Sequence, residues 1–158
     1  MLYPNPMFLL AGSLDFTAED LFANRAGRMS ARQRDLLLRR RAQVLLHWLL
    51  VVAVWAALGL LLRLGIVTVG FIAACLMSGA VLHWHRFDAD MRERVQSRTG
   101  WLHIRQLPAW LVRRWSVCVE DDCFDIPARS RAAFDDRRRY RLYYAAGSRT
   151  LLSAEVAR

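Results

Sequence analysis

Two long apolar runs dominate the alternation of hydrophobic and polar positions: Ala42 to Leu62 (AQVLLHWLLVVAVWAALGLLL) and Leu64 to Leu82 (LGIVTVGFIAACLMSGAVL). Each is near the roughly 20 residues that carry a helix across about 30 Å of hydrocarbon. A single helix through both would extend about 60 Å, so the pattern predicts two passes, about 42–62 and 64–84. The turn falls at 63–65, where Arg63 interrupts the run and Gly65 can take a positive φ.

Before the first run the period is that of short capped helices. Thr17-Ala-Glu-Asp20 reads as a capping box, with Gly27 as the stop signal. Ser30-Ala-Arg-Gln33 opens a second helix that meets no breaker, so one helix is expected from about Ala31 to Leu62. The second span should continue likewise through Glu93 to Gly100.

After Gly100 the period changes to short strand-favouring runs divided by turn signals. Five strands are expected, at 101–107, 110–119, 123–127, 138–146 and 150–156. A two-residue turn at Asp121-Asp122 would pair Val119 with Phe124 and Val117 with Ile126, putting all four on one face. The last hairpin is expected to turn at Gly147-Ser148. A helical turn over 128–134 gives the order β-β-β-α-β-β, which matches an OB-fold; an SH3-like barrel and an open sheet stay open.

The fold class is therefore an α+β membrane protein: a two-helix transmembrane hairpin with cytoplasmic helical stalks and a small five-stranded C-terminal β domain, OB-like or SH3-like. The parts are a cytoplasmic N-terminal helical arm (1–41), the hairpin (42–85), a helical stalk (86–99) and the β domain (100–158).

Charge orients this arrangement. The net +9 is spread along the chain, but Arg25, Arg28, Arg32, Arg34, Arg39, Arg40 and Arg41 precede the first span and Arg86, Arg92, Arg94 and Arg98 follow the second, against Arg63 alone in the turn. The positive-inside rule puts both termini in the cytoplasm, with the hairpin in the inner cell membrane. Trp48 and the triplet His83, Trp84, His85 fall at the same inner interface. All 23 basic residues are Arg, which reflects genome composition better than selection for guanidinium chemistry. Met1 to Leu14 has two prolines, no basic residue and no clear cleavage site, so it does not read as a secretory signal.

Candidate chemistry adds little. Neither span contains Asp, Glu, Lys or Arg, so a proton relay or ion path lacks its usual residues. No nucleophile elbow, phosphate-binding glycine loop or zinc-protease motif occurs, and no enzymatic activity or cofactor is expected. Cys118 and Cys123, beside an acidic turn, are weak metal candidates, since C-x4-C is not a zinc knuckle. In the register above they are diagonal neighbours on the outer face, and a cytoplasmic location disfavours a disulfide. His47, His83 and His85 read as interfacial residues rather than ligands, and His103 stands alone. Gly70, Ala74 and Ser78 on span two, with Ala53 and Ala57 on span one, offer close helix packing, within the hairpin before a dimer seam. Arg137, Arg138, Arg139, Tyr140, Arg141 and Tyr143 form the most suggestive surface, read first as a membrane-proximal basic face and otherwise as a single-strand binding surface.

Two stretches carry a resemblance: Asp20-Leu-Phe-Ala-Asn-Arg-Ala-Gly-Arg-Met-Ser30, and Tyr140-Arg-Leu-Tyr-Tyr-Ala-Ala-Gly-Ser-Arg-Thr-Leu-Leu-Ser-Ala-Glu155. They resemble uncharacterised bacterial two-span membrane proteins with an NRxG…S-x-x-Q arm and a YYxxxSxxLLSxE tail. The resemblance implies architecture and no activity. The expectation is a non-enzymatic accessory or scaffold subunit, with the lipid bilayer and a protein partner or a second copy as its contacts. The alternative is a membrane-anchored module that holds nucleic acid or anionic lipid; nucleic acid is the less favoured.

Overall fold

The computed structural model describes residues 6–63, 65–92, 94–107, 114–136 and 138–157. Among them it has four α-helices, one short 3-10 helix and a five-stranded antiparallel sheet.

The helices begin where local chemistry says they should. Thr17 caps α2 (Ala18–Arg25) and Ser30 caps α3 (Ala31–Leu61), each through a reciprocal capping box with the residue three positions on. Gly27, at φ +71°, closes α2, and the Arg28 amide reaches back to the Ala23 carbonyl. A further helix, α1 (Pro6–Leu14), was not expected, and its Leu10 is fully buried. The signal reading of Met1 to Leu14 falls partly outside the described residues, as do Leu64, Glu93, Arg137 and positions 110–113.

α3 and α4 (Ile66–Arg92) are each long and apolar enough to cross a membrane. They lie side by side: Arg41 stacks on the Trp84 ring at 3.1 Å, Trp48 packs on Gly79, and Gly59 sits against Val69. A Cβ on Gly59 would stand 2.6 Å from a Val69 methyl, so a larger residue there would part the helices. This contact corrects the expected packing face. Gly70, Ala74, Ser78, Ala53 and Ala57 are all exposed, and the close approach uses Gly59 and Gly79 instead. Small residues occur on more than one face of each helix, so spacing alone does not select the seam. The positive φ at the turn falls on Arg63 (+51°) rather than Gly65.

Helix α4 carries the first half of the expected stalk, to Arg92, and the second half of 86–99 is corrected. Strand β1 (Gln96–Leu107) is already extended at Gln96 because its first half pairs with β4 (Arg139–Tyr144) and its second half with β2 (Arg114–Val119). Tertiary pairing overrides helical continuity here. Beyond β2 come β3 (Asp122–Ile126), a 3-10 turn (Ala128–Ala133), β4 and β5 (Leu151–Val156). The strand order is β3-β2-β1-β4-β5, with β1 central, and the edge strands β3 and β5 approach each other.

The β2–β3 hairpin keeps the expected inward face but shifts its register by two. Glu120, at φ +55°, starts the turn, so Val117 faces Phe124, Trp115 faces Ile126 and Cys118 faces Cys123. The last hairpin turns at Gly147-Ser148 as expected, within a four-residue loop over 146–149: the Ala145 amide closes on the Thr150 carbonyl, and Arg149 takes the positive φ. Leu102, Val117, Val119, Phe124, Leu142 and Ala154 form the core of the domain, with Phe124 and Tyr144 ring centroids 4.7 Å apart. Leu10, Phe16, Leu21 and Leu37 from the arm join the same apolar cluster.

Candidate interaction site

The polar chemistry of the molecule gathers where the N-terminal arm meets β5 and the end of α4. Asp20, third residue of α2, is almost wholly buried and accepts the Thr17 amide at 2.8 Å, Arg32 at 2.9 Å and the Ser30 hydroxyl. One carboxylate thus ties the start of α2 to the start of α3. Burial alone would raise its pKa, but the hydrogen bonds from Ser30, Thr17 and Arg32 outweigh that and hold it below the usual carboxylate range.

Four residues farther on, Asn24 donates its amide to Ser153 Oγ at 2.7 Å, both side chains being buried. Arg25 donates to Glu155, whose other oxygen accepts the Tyr143 hydroxyl at 2.6 Å. Burial works to raise Glu155, and the bonds from Arg25 and Tyr143, with Arg141 of β4 3.9 Å away, pull it below its ordinary value. The Tyr143 hydroxyl is pushed up, first by burial and then by Glu155. Gln33 completes the contact, donating to the Leu152 carbonyl at 3.2 Å. The two stretches that carry the resemblance are therefore the two sides of one junction.

A second clamp holds the far end of the sheet. Asp90, near the end of α4, is buried and accepts the amides of Gly147 (2.7 Å) and Ser148 (2.9 Å). A Cβ at Gly147 would run into the Arg86 carbonyl oxygen, so only glycine lets helix and turn come this close.

The residues expected to form an Arg and Tyr surface are divided between two environments. Tyr140 lies in the core, its hydroxyl accepting the Asp135 amide at 3.1 Å, and Tyr143 is covered at the junction. Arg138, Arg139 and Arg141 are exposed, with Arg138 paired to Asp135 at 3.2 Å and Arg141 donating to Thr99 at 3.1 Å. The two buried tyrosine rings thus do not stand open beside the arginines. Arg137 lies outside the described residues.

Cys118 and Cys123 correct the sequence reading most sharply. They are directly opposed, with Cα atoms 4.0 Å apart, and are joined as a disulfide rather than standing as separate thiols or metal ligands. Cys118 is buried and Cys123 exposed. Cys75 is a free, exposed thiol on α4. Among the described residues no three His, Cys, Asp or Glu side chains converge as a metal site.

Sequence reasoning missed Asn24, Gln33, Asp90, Ser153 and Glu155 as partners. Polar side chains embedded in otherwise patterned elements were the available signal, but only the fold brings the two ends together. No protein-family model, curated protein or solved structure matches this chain.

Proposed function

We propose that the chain is a non-enzymatic membrane subunit in which α3 and α4 cross the inner membrane as a hairpin and present a small OB-like domain at the cytoplasmic face to a protein partner. The observation that carries this reading is the double clamp. Asp90 grips the β4–β5 turn and the arm grips β5, so the domain is fastened to both long helices rather than tethered by a free linker. A domain held this way suits docking at a fixed height above a bilayer.

Burial supports the membrane part. Leu46, Leu50, Leu60, Ile66, Val67 and Phe71 are all well exposed along the helix pair, a larger apolar surface than a soluble monomer leaves in water. The central β1 shared by β2 and β4, with a helical turn between β3 and β4, supports the OB-like reading over an SH3-like one. Eleven arginines flank the two spans on one side against Arg63 on the other, which supports cytoplasmic termini. The Cys118–Cys123 bond pulls the other way, because disulfides persist in oxidising compartments.

A topology reporter fused at Gly65 tests the orientation: an external signal is expected, and a cytosolic one would reverse it. Native mass spectrometry after gentle extraction tests the subunit role. Co-purification with another membrane protein is expected, whereas a solitary monomer would remove the proposal.

A further inference from the structure

A cavity of about 390 Å³ lies where the foot of α3 meets the β domain, lined among others by Arg40, Arg129, Arg149, Ser148, Thr150 and Asp125. Three arginines and one carboxylate are part of its lining. Each comes from a different element: Arg40 from α3, Arg129 from the 3-10 turn and Arg149 from the β4–β5 turn. Arg149 contacts Asp122 at 3.2 Å, while Arg40 and Arg129 form no ion pair among the described residues.

The walls are held in place. Asp90 fixes the Gly147 and Ser148 amides, the Ser148 and Thr150 hydroxyls share a 2.6 Å hydrogen bond, and Ser130 anchors the 3-10 turn by donating to the Ser13 carbonyl at 2.8 Å. Planar guanidinium groups with hydroxyl donors match the oxygens of a phosphate, which can take paired N–H bonds. Arg40 precedes the first apolar run by two residues of continuous helix, roughly 3 Å of rise. The cavity therefore stands at the height of lipid headgroups, a step that rests on the membrane reading above.

We propose that this cavity binds the phosphate of an anionic phospholipid headgroup, held by Arg40, Arg129 and Arg149. Phosphate recognition follows from the lining alone; the lipid source follows from the position of Arg40.

The full chain in neutral detergent is titrated with short-chain phosphatidic acid, with phosphatidylcholine of the same chain length and with inorganic phosphate, and binding is read by calorimetry. Phosphatidic acid is expected to bind most tightly, and Arg129→Gln and Arg149→Gln each to weaken it about tenfold, the loss of one charged hydrogen-bonding group. Arg105→Gln with Arg28→Gln removes exposed charge elsewhere and should change affinity less than about twofold. Arg129→Lys, which keeps the charge, should retain more binding than Arg129→Gln, and thermal unfolding identifies any variant that has lost its fold.

Equal losses in the cavity and control variants, or equal binding of phosphatidylcholine, would overturn the site. Inorganic phosphate binding as tightly as the lipid, and equally sensitive to Arg129→Gln, would overturn the lipid assignment and identify a soluble source. These readouts need no bilayer, so their failure is separable from failure of the topology reporter.

Discussion

The helix pair and the β domain use the same apolar residue types and treat them in opposite ways. Phe124 and Leu102 are sealed in the domain core, whereas Phe71 and Leu60 stand open on the long helices. In the domain, folding removes apolar surface from water. In the helix pair, narrow contacts such as Gly59 on Val69 and Trp48 on Gly79 are internal, and most of the remaining apolar surface is left uncovered by the protein. Apolar content alone therefore says little; what matters is whether the protein itself supplies the cover.

The sharpest way to break this contrast is a matched truncation. Phe124→Ala should destabilise the domain by about 3–5 kcal/mol, read from the urea midpoint of the full chain in detergent. Phe71→Ala, on an open helix face, should shift the same midpoint by less than about 0.5 kcal/mol. Equal shifts would mean that the exposed face is packed after all.

Next in size is the junction between the two regions. Asp20→Asn removes a charged acceptor from Thr17, Ser30 and Arg32 and should cost about 1.5–3 kcal/mol. Because Asp20 and Glu155 titrate below the ordinary carboxylate range in the folded chain, their contribution is complete above the unfolded value, near pH 4, and is lost as pH falls through the lowered folded values. Acid melts of the native chain should show that loss, and Asp20→Asn should flatten it.

Gly147→Ala should cost about 1–3 kcal/mol, since the obstructing atom is backbone and cannot swing aside. The smallest effect separates the two faces of the helix pair. Gly59→Ala should weaken helix association by about 1 kcal/mol in a detergent unfolding assay, while Gly70→Ala, with open space around it, should stay within about 0.5 kcal/mol.

What the sequence disclosed follows the range of the interactions involved. Both capping boxes and the long uninterrupted helix from Ala31 depend on residues three or four apart, and they were readable. The inward face of the β2–β3 hairpin was readable from its period of two, but the positive φ at Glu120 moved the pairing by a full two-residue step. Gln96 to Gly100 looked helical locally and became strand only because Tyr140 and Tyr144 lie opposite. At the candidate site, the Asn24–Ser153 bond spans 129 residues, and no local signal links its ends.

That separation also sets a schedule for biosynthesis. At typical elongation rates, the ribosome needs on the order of 10 s to travel from Asn24 to Ser153. Throughout that interval the arm has been made but its mate has not, while both greasy segments have already emerged. Completion of the polar seam is thus a late event, possible only after both long helices have been synthesised.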